Sequence, residues 1–153
     1  RVKAKVRKLQ LYYPNLKYYE VTLNDDFSRV MNFIIKSSGE HVFFVETPYI
    51  LLSKTIDDLM KITLENQADI TVVEDRIYNL SEFVYYFVEK DNQLEDISRQ
   101  SKLNSLNGCL IKKELFDKVG TIDFNDDSSI TAILEKADKV MVKHSDYLVK
   151  VVE

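Results

Sequence analysis

At 153 residues, 45% hydrophobic and 30% charged, the chain has the composition of one globular domain, large enough to bury a core without staples. A net charge of −4 gives no bulk attraction to nucleic acid or to an anionic membrane. The single cysteine, Cys109, excludes an internal disulfide framework and a cysteine-based zinc site, and the histidines, His41 and His144, have no second ligand at zinc spacing.

In chain order, Arg1, Lys3, Lys5, Arg7 and Lys8 form a local basic cluster that reads as a solvated helix face. Val2, Val6, Leu9 and Tyr13 recur at helical spacing until Pro14-Asn15. Residues Leu16 to Thr22 are aromatic and β-branched and read as a strand. Asn24, Asp25 or Asp26 can cap a second helix whose single apolar face is Phe27, Val30, Met31, Ile34 and Ile35, ended by Ser37-Ser38-Gly39. Val42 to Val45 are four consecutive apolar residues, expected as a strand buried on both faces.

Glu46 follows at the C-terminal end of that strand, where open α/β sheets place their ligands, and Pro48 then interrupts the ladder because it has no N–H to donate. Ser53 or Thr55 caps a third helix, with Asp57 and Asp58 in its first turn and a core face of Ile56, Leu59, Met60, Thr63 and Leu64. Asp69 to Glu74 is a further buried strand. The α-β-α-β-α-β order predicts an α/β fold with a mostly parallel sheet flanked by helices.

The second half is less regular. Phe83 to Val88 reads as an exposed or hairpin strand, in which Tyr85-Tyr86-Phe87 suit a core or subunit interface better than a sugar-stacking platform. Leu94 to Leu106 is polar and reads as helix or loop, and Gly108 to Ile111 as a short strand. It leads into a helix over Glu114 to Val119 that Gly120 closes. Ser128 or Ser129 starts a last helix through Ala137, followed by strands at Lys139 to Val142 and Tyr147 to Val151. Three glycines and two prolines leave no glycine-rich phosphate cradle. The start at Arg1, inside a helical pattern, reads as part of a longer polypeptide, and residues 1–153 as a single domain of it.

The order of these motifs resembles the family-two glycosyltransferases of the GT-A fold, from their second βα unit onward, about the C-terminal two-thirds of such a domain. The matching runs are Asn24-Asp25-Asp26, Asn32, Gly39-Glu40 with Val42 to Val45, and Ala68-Asp69-Ile70-Thr71-Val72-Val73. Gly108-Cys109-Leu110-Ile111-Lys112-Lys113-Glu114-Leu115-Phe116 with Gly120, and Ala137-Asp138-Lys139-Val140 with Tyr147, complete the series. The resemblance implies a transferase-like domain of cell wall biosynthesis, in a surface-polysaccharide or teichoic-acid-type protein, cytoplasmic or peripheral at the inner face of the membrane. Its expected partners are a nucleotide sugar, a glycan or polyol-phosphate acceptor and other domains of the parent chain, with neither nucleic acid nor a transmembrane segment.

Where the resemblance places an Asp-x-Asp metal loop, this chain reads Glu46-Thr47-Pro48-Tyr49, and Met31 stands where an arginine precedes Asn32. The family's opening strand and early aspartate have no counterpart. Glu46 is therefore the metal-side carboxylate if Mn²⁺ or Mg²⁺ is used at all, and Asn32 and Tyr49 are substrate-binding candidates. Asp126 and Asp127 are candidates for the general base that deprotonates an acceptor hydroxyl; otherwise they are the acidic end of the helix near Ser128. The expected domain is catalytically degenerate, serving as scaffold, acceptor-binding or interaction module. The alternative is the acceptor-side part of an active inverting hexosyltransferase.

Overall fold

The structure is a computed structural model that describes residues 1–21, 25–47, 49–51, 53–79, 93–98, 100, 103 and 105–152. Its elements are α1 (Val2–Gln10), α2 (Asp25–Lys36), β1 (His41–Phe43), β2 (Ile50–Leu51), α3 (Thr55–Asn66), β3 (Ile70–Asn79) and β4 (Leu94–Asp96). After these come β5 (Cys109–Lys112), α4 (Lys113–Val119), α5 (Ser128–Lys136) and β6 (Val140–Val152). The aromatic run Tyr85-Tyr86-Phe87, with Asn24 and Pro48, lies outside the described residues.

The strands form one sheet in the order β1-β5-β3-β6-β2, with β4 also on β6. The α/β class is as the sequence reads, but the sheet is mixed rather than mostly parallel. β3 and β6 pair parallel, whereas β5 runs antiparallel to both β1 and β3, and β2 and β4 run antiparallel to β6. β1, β3 and β6 thus share one direction, as crossover helices require. β5 comes later in the chain and inserts between the first two, against them.

Period-2 alternation explains why both faces are dry. Ile70 and Val72 of β3, and Cys109 and Ile111 of β5, point into a core with Ile35, Leu115, Phe116 and Ile133. Val73 and Leu110 point to the opposite face, against Leu59 of α3. Burial of this kind supplies most of the stability, at about 25 cal/mol per Å² of apolar surface. β1 is more modest than expected. Its pairing with β5 ends at Phe44, its residues are half-buried, and Val45 is exposed, because among the described strands β1 has one neighbour.

Several boundaries differ from the sequence reading. α3 rests on the sheet along Thr55, Leu59 and Thr63, an i, i+4, i+8 line, while Ile56 and Leu64 face outward, Leu64 at 68% exposure. Thr63 belongs inside because its hydroxyl meets that of Thr71 on β3 at 2.6 Å. Residues 16–21 form no strand, since no described segment offers them a ladder, and α1 buries none of its residues. The two expected terminal strands are one, β6, whose register against β3 slips between Val73 and Asp75. Part of the 94–106 segment is the strand β4. No helix among the described residues is long and apolar enough to cross a membrane.

One ion pair pins β4 to the start of β6. Lys139 Nζ lies 2.7 Å from Asp96 Oδ2, and Ser98 donates its hydroxyl and amide to Oδ1. Together the lysine and then the serine donors hold the Asp96 carboxyl well below the usual carboxylate range. A depressed carboxyl stabilises the fold fully above its unfolded pKa, about 3.9, and ceases to as pH falls through the folded value. The Tm difference between the native chain and Asp96→Asn is therefore expected to be constant from pH 7 to about pH 5 and to shrink as pH falls below about 4. It should be small, and smaller still in 0.5 M salt, because the pair is exposed. A difference that grows on acidification would refute the assignment.

Candidate functional site

The antiparallel insertion of β5 creates the site. Because β5 begins where β1 ends, the loop that feeds β5 arrives beside residues 44–46. The Phe44 amide donates to the Cys109 carbonyl (3.1 Å), and the Gly108 amide donates to the Phe44 carbonyl (2.8 Å). Gly108 turns the chain there at φ 78, in the left-handed region that glycine enters freely. Just before it, buried Asn107 accepts the Glu46 amide on its Oδ1 at 2.9 Å. The backbone that carries Glu46 is thus held by a side chain 61 residues away.

The opposite wall is the 121–127 loop, which α2 holds through two polar side chains. Asn32 Nδ2 donates to the carbonyls of Ser28 (2.7 Å) and Ile122 (2.6 Å), while its Oδ1 accepts the Ile122 amide (3.0 Å). Ser28 Oγ accepts the Phe124 amide at 2.7 Å and donates to Asp123 Oδ1 at 3.2 Å. Ser129 then donates its hydroxyl to the Asp123 carbonyl, closing the loop onto the first turn of α5.

Between the two walls lies a cavity of about 410 Å³. Phe27, Phe44 and Phe124 give it aromatic surface, with Phe124 6.4 Å from each of the other two rings, and Met31 and Ile130 add to it. Glu46, Asp126 and Asp127 bring three carboxylates to it, and Ser105, Asn107 and Ser129 bring neutral polar groups. Among the described residues, no lysine, arginine or histidine lines it.

Three of the sequence candidates, Glu46, Asp126 and Asp127, therefore meet at one place, although 80 residues separate Glu46 from Asp126. The two aspartates differ. Asp126 accepts the Ser128 hydroxyl (2.7 Å) on one oxygen and the Ser128 amide (3.1 Å) on the other. These bonds, the hydroxyl's first, lower its carboxyl from the ordinary value. Asp126 thereby fastens the first residue of α5 and is a poor proton acceptor. Asp127, at the N-cap position, makes no side-chain capping bond.

The other two candidates sit elsewhere. Asn32 spends its amide on the loop clamp and lines shallow surface grooves on the outer side of α2. Tyr49 packs toward Leu59, Val73 and Leu110, the α3 face of the sheet. Asn107 and the three phenylalanines were not singled out from the sequence. Asn107-Gly108 is a turn-forming dipeptide that marked the position; the phenylalanines are scattered and carried no such signal.

A divalent cation, as the resemblance implies, would find poor ligands. Glu46 is the one carboxylate on its loop, and among the described residues no three His, Cys, Asp or Glu side chains group to hold a metal ion. This donor set does not fit a cation held by the protein alone, and no chemical step is drawn through one.

No family model and no curated protein sequence matches the chain. Solved structures do. The crystal structure of Staphylococcus aureus TarS residues 1–349 in complex with UDP-GlcNAc has a TM-score of 0.61 at 11% identity, covering 97% of this chain and 46% of that one. The UDP complex of the same protein also gives 0.61, at 13% identity, covering 96% of this chain and 47% of that one. The chain thus spans about half the length of these structures of TarS. At such low identity the likeness is one of fold alone: the chain is an α/β domain with a mixed sheet flanked by helices, folded like part of the TarS structure.

Proposed function

We propose that this domain is a glycosyltransferase-like module that binds the acceptor side of a glycosyl-transfer reaction in surface-polysaccharide or teichoic-acid-type biosynthesis. On this reading it turns over no nucleotide sugar with its own residues. The supporting observation is the meeting of Glu46, Asp126 and Asp127 with three phenylalanines around one cavity at the C-terminal end of β1. A sugar ring has an apolar C–H face that packs on aromatic carbon and an edge of hydroxyl donors that ionised carboxylates accept. Degeneracy is supported by the lone carboxylate of the Glu46-Thr47-Pro48-Tyr49 loop.

A second reading rests on Asp127. On this reading Asp127, which lines the cavity and makes no side-chain capping bond, deprotonates an acceptor hydroxyl when a nucleotide sugar is presented, and the domain is the acceptor-side part of an inverting transferase. TarS binds UDP-GlcNAc, so that donor is the one to try.

Calorimetric titration with methyl glucoside and with a glycerol-phosphate oligomer, beside a turnover assay with UDP-GlcNAc and Mn²⁺, separates these readings. The acceptor-module reading expects glycan binding, weakened about tenfold by Asp127→Asn through loss of one charge-assisted hydrogen bond, and UDP release no faster than in buffer. UDP release above that background, lost in Asp127→Asn but retained in Asp126→Asn, would establish the active reading instead. Absence of any glycan or nucleotide-sugar binding would defeat both.

A further inference from the structure

On the reading that the cavity holds a carbohydrate, its lining also determines which carbohydrate. We propose that it selects an uncharged or amine-bearing sugar or polyol and rejects phosphorylated ones, with the Asn107 side-chain amide as its principal hydrogen-bond donor.

The charge argument comes first. Among the described residues, Glu46, Asp126 and Asp127 are the ionisable groups at the cavity, and no cationic side chain lines it. A phosphate entering would confront like charges with no compensating side chain among the described residues, which costs affinity strongly once water is displaced. The usual substitute for basic side chains is a helix N-terminus. Here the first turn of α5 does reach the cavity, but the chain has already filled that position: Ser128 directs both its amide and its hydroxyl at Asp126. An anion would have to displace a carboxylate that belongs to the protein. An ammonium, by contrast, meets three carboxylates and aromatic faces, both of which favour a cation.

The donor argument is independent. Asn107 is 8% exposed. Its Oδ1 is committed to the Glu46 amide, which fixes the amide's orientation and leaves Nδ2 pointing the other way. Among the described residues no group accepts from that nitrogen, and Asn107 lines the cavity. Of the neighbouring hydroxyls, Ser129 spends its O–H on the Asp123 carbonyl, and Ser105, whose Oγ accepts the Asn107 backbone N–H, keeps a rotatable O–H rather than an oriented donor. The cavity therefore offers carboxylate acceptors and one oriented amide donor. A hydroxylated ring or polyol matches it, with hydroxyls donating to the acids and one oxygen accepting from Nδ2. For a polyol-phosphate acceptor, the hydroxylated end enters and the phosphates stay outside.

The test is titration of the 153-residue protein at low salt with methyl glucoside, glucosamine and glucose 1-phosphate. Glucosamine is expected to bind more tightly than methyl glucoside, by a margin that salt reduces, and glucose 1-phosphate at least tenfold more weakly. Asn107→Asp keeps an oxygen for the Glu46 amide but removes the donor; it should weaken methyl glucoside about tenfold while sparing glucosamine. Asp127→Asn, at an exposed position that makes no side-chain capping bond, should raise the affinity for glucose 1-phosphate. Glucose 1-phosphate binding as tightly as methyl glucoside, or either variant leaving its diagnostic affinity unchanged, overturns the selectivity while the carbohydrate site stands. If none of the three sugars binds, the carbohydrate reading itself fails and the selectivity with it.

Discussion

Truncating Ile111 to alanine is expected to cost about 3 kcal/mol, within the range measured for isoleucine-to-alanine changes in cores. Ile111 sits on β5 between two neighbours, opposite Val42 of β1 on one side and Ile70 of β3 on the other, and is fully buried. Its side chain belongs to the cluster that joins α4 and α5 to the sheet through Leu115, Phe116 and Ile133. A backbone paired on both sides cannot move in to fill the hole, so the cost should fall toward the cavity-retaining end of the range. For a domain of this size that corresponds to a Tm lowered by roughly 6–12 °C. Ile111→Val, which removes one methyl group, should cost about 1 kcal/mol. Leu64→Ala, at 68% exposure, should stay within about 0.5 kcal/mol of the native chain. Chemical denaturation of the three variants measures all of this. Comparable losses for Leu64→Ala and Ile111→Ala would mean that the outward face of α3 is covered and that the two-faced core is misassigned.

That contrast also shows how far the fold was legible in the sequence. Helical periodicity located α2, α3 and α5, because an amphipathic stripe is written directly into residue spacing. It could not decide between Thr63 and Leu64 on α3. Spacing admits both and hydrophobicity favours Leu64, whereas the structure buries Thr63 because Thr71 on the facing strand supplies a hydroxyl. The short apolar runs located β1, β3 and β5 but not their directions, since a strand of Val, Ile and Leu looks the same in either orientation. The consequence for the site is direct. Glu46 was identifiable from its position at a strand end, but its neighbour Asn107 arrives only because β5 runs antiparallel to β1, a fact no local pattern encodes. Asp126 and Asp127 were readable as the acidic start of a helix. Their difference in hydrogen bonding depends on where one serine hydroxyl points.

Asn32 carries the second large effect, and one of a different kind from the role its place in the resemblance implies. The amide of Asn32 satisfies both backbone groups of Ile122, a residue 3% exposed, and so fastens α2 to the loop that leads to Asp126 and Asp127. Asn32→Ala leaves the Ile122 N–H and C=O with no partner at that position, and a buried unsatisfied group costs about 1–3 kcal/mol. Some water entry from the shallow groove beside α2 offsets part of this, giving a net loss of about 2 kcal/mol. Asn32→Asp is the sharper experiment. It keeps an oxygen for the Ile122 amide but turns a second one against the carbonyls of Ile122 and Ser28, so acceptor faces acceptor. That variant should be no more stable than alanine at pH 7 and should recover in acid, as protonation of the carboxyl restores a donor. Both variants should also weaken glycan binding although Asn32 does not line the cavity, because the loop that presents Asp127 loses its anchor. A residue that instead touched the ligand would lower affinity while leaving Tm unchanged. Measuring Tm and glycan affinity together on Asn32→Ala thus decides between them: a joint fall marks the clamp, and a fall in affinity alone would place Asn32 at the ligand.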